Sequence, residues 1–188
     1  MTIEHAFCEL LGQLRELDEA LEALGRTADE DKPMQDDVVI ASILSDAVLA
    51  ERGFLEEARQ AAEEAYRAAL DPGNAARTRG ALICCQKEFH RFAGHFASEL
   101  GSCDRIEDLR TLGMERAQGW LNWTTVVTQT LEQCRELVEK VQNALFLCWQ
   151  ELTESMSMPA VLVQTFTIGQ HISGGELIGE KPKQSGVA

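Results

Sequence analysis

The sequence predicts an all-α fold: an elongated helical bundle with coiled-coil-like long N- and C-terminal helices, followed by an extended, β-prone C-terminal tail. Three observations predict it. Ile3, Phe7, Leu10, Leu14, Leu17, Leu21 and Leu24 step by four and three residues, which holds one narrow apolar stripe of a helix against a partner helix. Val127, Leu131, Cys134, Val138, Val141, Leu145, Cys148 and Leu152 repeat that step far downstream. Between Met114 and Glu154 no proline interrupts the chain, so a helix of up to about 60 Å fits there. The two ladders can pair within one chain or in a homo-oligomer, and their spacing leaves both open.

The elements follow in order. Thr2 is placed to cap a first helix that Gly25 ends, and the polar run Arg26–Pro33 reads as an exposed connection. Asp36 or Asp37 caps a second helix through Val39, Ile40, Ile43, Leu44 and Val48, ended by Gly53. A third helix, Phe54 to Leu70, is rich in alanine, and small residues on successive turns let a neighbour approach closely. Asp71-Pro72-Gly73-Asn74 breaks the chain, with Asn74 as cap of a fourth helix carrying Leu82, Cys85, Phe89, Phe92 and Phe96 to Gly101. Ser102 caps a short helix over Ile106, Leu109 and Leu112, and the long downstream helix follows. After Pro159, residues 160–168 are rich in strand formers. The domain boundaries are therefore 1–155 for the bundle and 156–188 for the tail, with a candidate strand over 160–168.

Glu51 to Pro72, with Ala62, Tyr66, Ala69 and Pro72 in order, resembles a tetratricopeptide repeat. No second copy follows at the family's period of about 34 residues. The resemblance implies a helical hairpin over this segment, not a repeat array, and no binding residues.

Composition bounds the function classes. The chain has 188 residues, 45% hydrophobic, enough to bury a core. Its net charge is −14, and residues 1–72 hold 18 acidic against 6 basic side chains. Such a chain is repelled by phosphate backbones and anionic lipid, so neither nucleic acid nor membrane is expected as a partner. The short basic run Arg77, Arg79, Lys87 and Arg91 reads as a solvated face balancing an acidic neighbour. The start of the sequence has no signal-peptide pattern, so a cytoplasmic location with free thiols is expected.

Few residues suggest chemistry. His90 and His95 are about 140° apart on a helix, Cys84 and Cys85 are vicinal, and no phosphate loop or nucleophile elbow occurs. No catalytic, cofactor or metal residues are therefore assigned, and the protein is expected not to be an enzyme. Cys134 and Cys148 stand at ladder positions as small hydrophobes. Trp120 continues the downstream ladder backwards. Trp123 is assigned to the side away from Val141, where an exposed indole suits a partner contact, so both tryptophans are candidate interface residues. The tail residues Val161, Leu162, Val163, Phe166, Ile168, Ile172, Leu177 and Ile178 are the candidate partner-binding set, able to fold back on the helices or to add a strand to another protein's sheet.

The reading is a non-enzymatic helical interaction module, an adaptor, chaperone-like or scaffold protein, whose tail docks on another protein. Two alternatives stand beside it. One is a bundle holding a small ligand, haem or metal near Cys84, Cys85, His90 or His95. The other is a cargo protein whose tail is a sorting signal.

Overall fold

The structure, a computed structural model, describes residues 2–30, 38–115 and 118–155. Within them the chain is helical and contains no strand: α1 (Ile3–Glu30), α2 (Val38–Ala69), a 3-10 turn (Pro72–Asn74), α3 (Ala75–Glu99), α4 (Cys103–Glu115) and α5 (Gln118–Ser155). None of these helices is long and apolar enough to cross a membrane. The candidate strand 160–168, the eight tail residues assigned to partner binding, and Asp36 and Asp37 lie outside the described residues.

The leucine ladder of α1 organises the bundle. Phe7, Leu10, Leu14, Leu17, Leu21 and Leu24 are all fully buried, each contributing roughly 1.5–3 kcal/mol of transfer free energy as an upper estimate. They are covered from two sides, because α1 packs against both α2 and α5. Both neighbours run antiparallel to it. Tyr66 of α2 packs beside Phe7 while Arg52 of α2 bonds Asp18, and Trp123, near the start of α5, bonds the Thr27 carbonyl near the end of α1. The two sequence-read ladders thus pair within one chain.

The other long helices carry the same step. On α2 it runs through Leu44, Val48, Glu51, Leu55, Ala58, Ala62 and Ala65, and on α3 through Thr78, Leu82, Cys85, Phe89, Phe92 and Phe96, all buried. The alanines of α2 leave volume for the phenylalanine rings in the shared core, the interleaving of small and large groups that fills a core to native density. Helix α3 runs antiparallel to α2, with Arg77 on Glu64 at 3.2 Å and Arg91 near Glu57 at 3.9 Å. The basic run therefore partly neutralises the acidic face of α2. Helix α4 packs along α5, tied by Arg110 to Glu132.

Local signals set several ends as expected. The Thr2 hydroxyl accepts from the His5 amide, and the Ser102 hydroxyl from the Arg105 amide. Leu100 and Gly101 both donate their amides to the Phe96 carbonyl, closing α3. Other expectations are corrected. Helix α1 runs through Gly25 to Glu30. Gly25 serves as a close approach there, because a Cβ would lie 3.3 Å from Val48 Cγ1. Gly53 does not divide two helices either, since α2 is continuous over 32 residues. The repeat-like segment consequently contains no hairpin between its first and last turns; residues 51–69 are one half of α2. Asn74 occupies the cap position of α3 without a side-chain cap bond, because its amide donates to Asp71, whose other oxygen accepts from the Gly73 amide.

Two glycines separate local preference from packing. Gly53 has open space where a Cβ would go, whereas a Cβ on Gly113 would fall 1.9 Å from Thr124 Oγ1 and 3.4 Å from the Leu121 backbone. Gly53→Ala should raise stability by about 0.5–1 kcal/mol, the helix-interior cost of glycine. Gly113→Ala should lower it by about 1–3 kcal/mol through overpacking. Thermal unfolding of both variants checks the pair, and a destabilised Gly53→Ala would mean that α2 bends or breaks there.

Candidate functional site

The tryptophans assigned to an interface belong to this chain's own core. Trp120 is 3% and Trp123 4% exposed, with their rings edge-to-face at 5.5 Å. Trp123 is the correction. It stands eighteen residues before Val141, which at 3.6 residues per turn is five whole turns, so both share the inward face. Its indole Nε1 donates to the Thr27 carbonyl at 3.0 Å, and this anchors the start of α5 on the end of α1.

The chemistry-bearing residues that the fold does bring together lie between α2 and α3. Glu51 sits on the α2 ladder at a position otherwise held by Leu, Val or Ala, and its side chain is fully buried. One carboxylate oxygen, Oε1, is bonded to Nδ1 of His95. The other, Oε2, is buried with no hydrogen-bond partner. Burial pushes the Glu51 carboxyl above its ordinary value; the hydrogen bond and the charge of His95 pull it back, and Glu99 pushes it up again. The His95 side chain is 42% exposed, so one face of the imidazole meets solvent. Its ring packs 5.2 Å from that of Phe54. One turn earlier on α3, the Arg91 guanidinium lies 4.7 Å from the same ring, a cation–π contact. Arg91 is held in addition by Glu57 and Glu88, at 3.9 and 3.7 Å.

His90 points to the exposed side of α3, away from His95, as their spacing predicts. Cys84 is exposed and Cys85 buried, so the vicinal thiols diverge. Among the described residues no group of three or more His, Cys, Asp or Glu is placed to hold a metal ion.

A second surface feature lies between α1 and α5. An open groove of about 470 Å³ is lined by Ala20 and Ala23 of α1, Leu137 of α5, and the charged Glu16, Glu19, Glu136 and Lys140. Small side chains on α1 make the trough, and the surrounding charge is mainly acidic. Between α1 and α2, Arg52 bonds Asp18 through two nitrogens at 2.8 and 3.2 Å and reaches Glu22 at 3.3 Å.

Sequence reasoning named His95 only as a possible ligand and did not connect it with Glu51, 44 residues earlier. The available signal was the ladder itself, since stepping from Leu44 and Val48 to Leu55 and Ala58 places Glu51 at a core position. No family model, curated protein or solved structure matches this chain.

The thiols give a direct check of the packing. Burial pushes Cys85 and Cys134 up to about 12 and raises Cys148 as well, whereas Cys8 and Cys84 are exposed. Of these five, Cys8 and Cys84 should react with a maleimide in the native protein, and the three buried thiols only after unfolding. Peptide mapping of the label reads the outcome, and rapid native labelling of Cys134 or Cys148 would contradict the α1–α5 packing.

Proposed function

We propose that this protein is a non-enzymatic helical interaction module, an adaptor, chaperone-like or scaffold protein, with residues 160–178 as its docking segment. The observation that carries the reading is the division of the chain. Four ladder-bearing helices pack on one another, and the run richest in strand formers, Val161 to Ile168, follows the last of them. An extended apolar segment gains affinity by adding backbone hydrogen bonds to an exposed sheet edge, and specificity from its alternate side chains.

The charge supports a basic partner. The exposed side of α1 carries Glu9, Glu16, Glu19 and Glu22, and the groove beside it is edged by Glu16, Glu19 and Glu136. Such a field speeds encounter with a positive surface and does so less at high salt.

Removal of residues 159–188 tests the proposal. Helicity and melting temperature should stay within a few degrees of the full chain while partner capture is lost, and a synthetic 159–178 peptide should compete with the full chain for the same partner. A large loss of stability would instead make the tail part of the core. Capture unaffected by the deletion would move the interaction surface to the helices.

A further inference from the structure

We propose that Glu51 and His95 form a proton-operated latch: uptake of one proton by this pair fastens α3 to α2, and its loss loosens α3. This goes beyond partner binding and stands without it.

The geometry carries the proposal. Glu51 is a buried rung of the α2 ladder, and among the described residues His95 is the basic group bonded to it. With Glu51 ionised and His95 neutral, Nδ1–H donates to Oε1, Oε2 has no partner, and the pair carries one buried negative charge. An uncompensated buried charge is costly. One added proton removes it. The proton enters past the half-exposed imidazole and goes to the Glu51 carboxylate, leaving the pair neutral overall.

The surrounding charges favour the added proton. On α2, the neighbouring Arg52 is directed to Asp18 and Glu22 of α1. On α3, Arg91 lies on Phe54 and against Glu57 and Glu88, and Glu99 adds a negative charge near Glu51. The last carbonyls of α3 lie within the turn that follows His95, and that end of a helix favours a cation. Helix α5 meets α3 around Cys85 and Cys148, ten residues or about 15 Å from His95.

The sign follows from linkage. The folded state holds the Glu51 proton more tightly than the unfolded chain, whose carboxyl titrates near the ordinary 4.5. The resulting stabilisation is fully present below 4.5 and is lost as pH rises through the higher folded value.

The test is unfolding of the full chain and of Glu51→Gln between pH 5.5 and 8. Relief of general acidic repulsion acts on both proteins, so the difference between them isolates the latch. Glu51→Gln should be the more stable at pH 8, with the gap closing as pH falls. The ratio of the two unfolding constants should change by up to about tenfold per pH unit within the window. Amide exchange of α3, corrected for its intrinsic pH dependence, should quicken with pH in the native protein and much less in the variant. A gap independent of pH would overturn the proposal. Should Glu51→Gln fail to fold, NMR of the unmodified protein decides. The Glu51 carboxyl carbon should then titrate above the ordinary 4.5, and a carboxyl titrating at its ordinary value would overturn the latch.

Discussion

Helix α1 is flanked on both sides, and the arrangement of the bundle depends on that constraint. Its ladder is a stripe only two residues wide per heptad, yet it has to satisfy α2 and α5 together. Both partners solve the problem by repeating the four-three step and running antiparallel to it. A straight α-helix drifts about 20° per heptad from a strict seven-residue repeat, so two stripes stay in contact over many turns only if both helices follow the same repeat. Shared periodicity is therefore what allows a 38-residue α5 and a 32-residue α2 to stay in register with one 28-residue helix. Helices α3 and α4 then attach to the outer sides of α2 and α5.

The buried polar residues of these helices divide into two kinds. Thr78, Thr124 and Thr128 are buried, but each hydroxyl donates to a carbonyl of its own helix three or four residues back: Asn74, Trp120 and Thr125 respectively. Their hydrogen bonds form with the helix and ask nothing of a neighbour. Glu51 differs, because its partner comes from another helix. A polar group at a core rung that is satisfied only in one arrangement specifies register at some cost in stability. The α2–α3 pairing is thus defined where His95 meets Glu51, and its strength follows the protonation of that pair.

The ends of the chain were more legible than its middle, for a physical reason. In α1, and in α5 from Val127 onward, the rungs are Ile, Leu, Val, Phe and Cys, so periodicity alone identifies both helices and their buried faces. In α2 the rungs after Leu55 are alanines and one rung is Glu51, residues that do not mark an apolar stripe by themselves. Gly53 then looked like a boundary. A single glycine costs a helix about 1 kcal/mol, whereas a ladder continuing on both sides of it contributes several times that. Gly25 likewise resembles a helix end, yet its lack of a side chain serves the approach of Val48. Capping was legible where it is strictly local, at Thr2 and Ser102, and failed at Asn74, whose amide is drawn to Asp71. The Glu51–His95 pair needed the α2–α3 alignment, which no short-range pattern encodes.

Charge and shape give the molecule two unlike sides. Four basic residues of α3 lie along or near the helix that adjoins acidic α2, and Arg77 and Arg91 pair across that seam. On α1, Asp18 and Glu22 pair with Arg52 of α2, whereas Glu16 and Glu19 line the groove shared with α5. The tail continues from α5, one of the two helices that frame this groove. On the proposed reading, a partner with a positive surface and a free sheet edge engages the acidic side and the tail together. Each contact then raises the effective concentration of the other, so two weak interactions act as one stronger one. Salt weakens the first contact by screening and leaves the second, made of backbone hydrogen bonds and apolar side chains, largely in place.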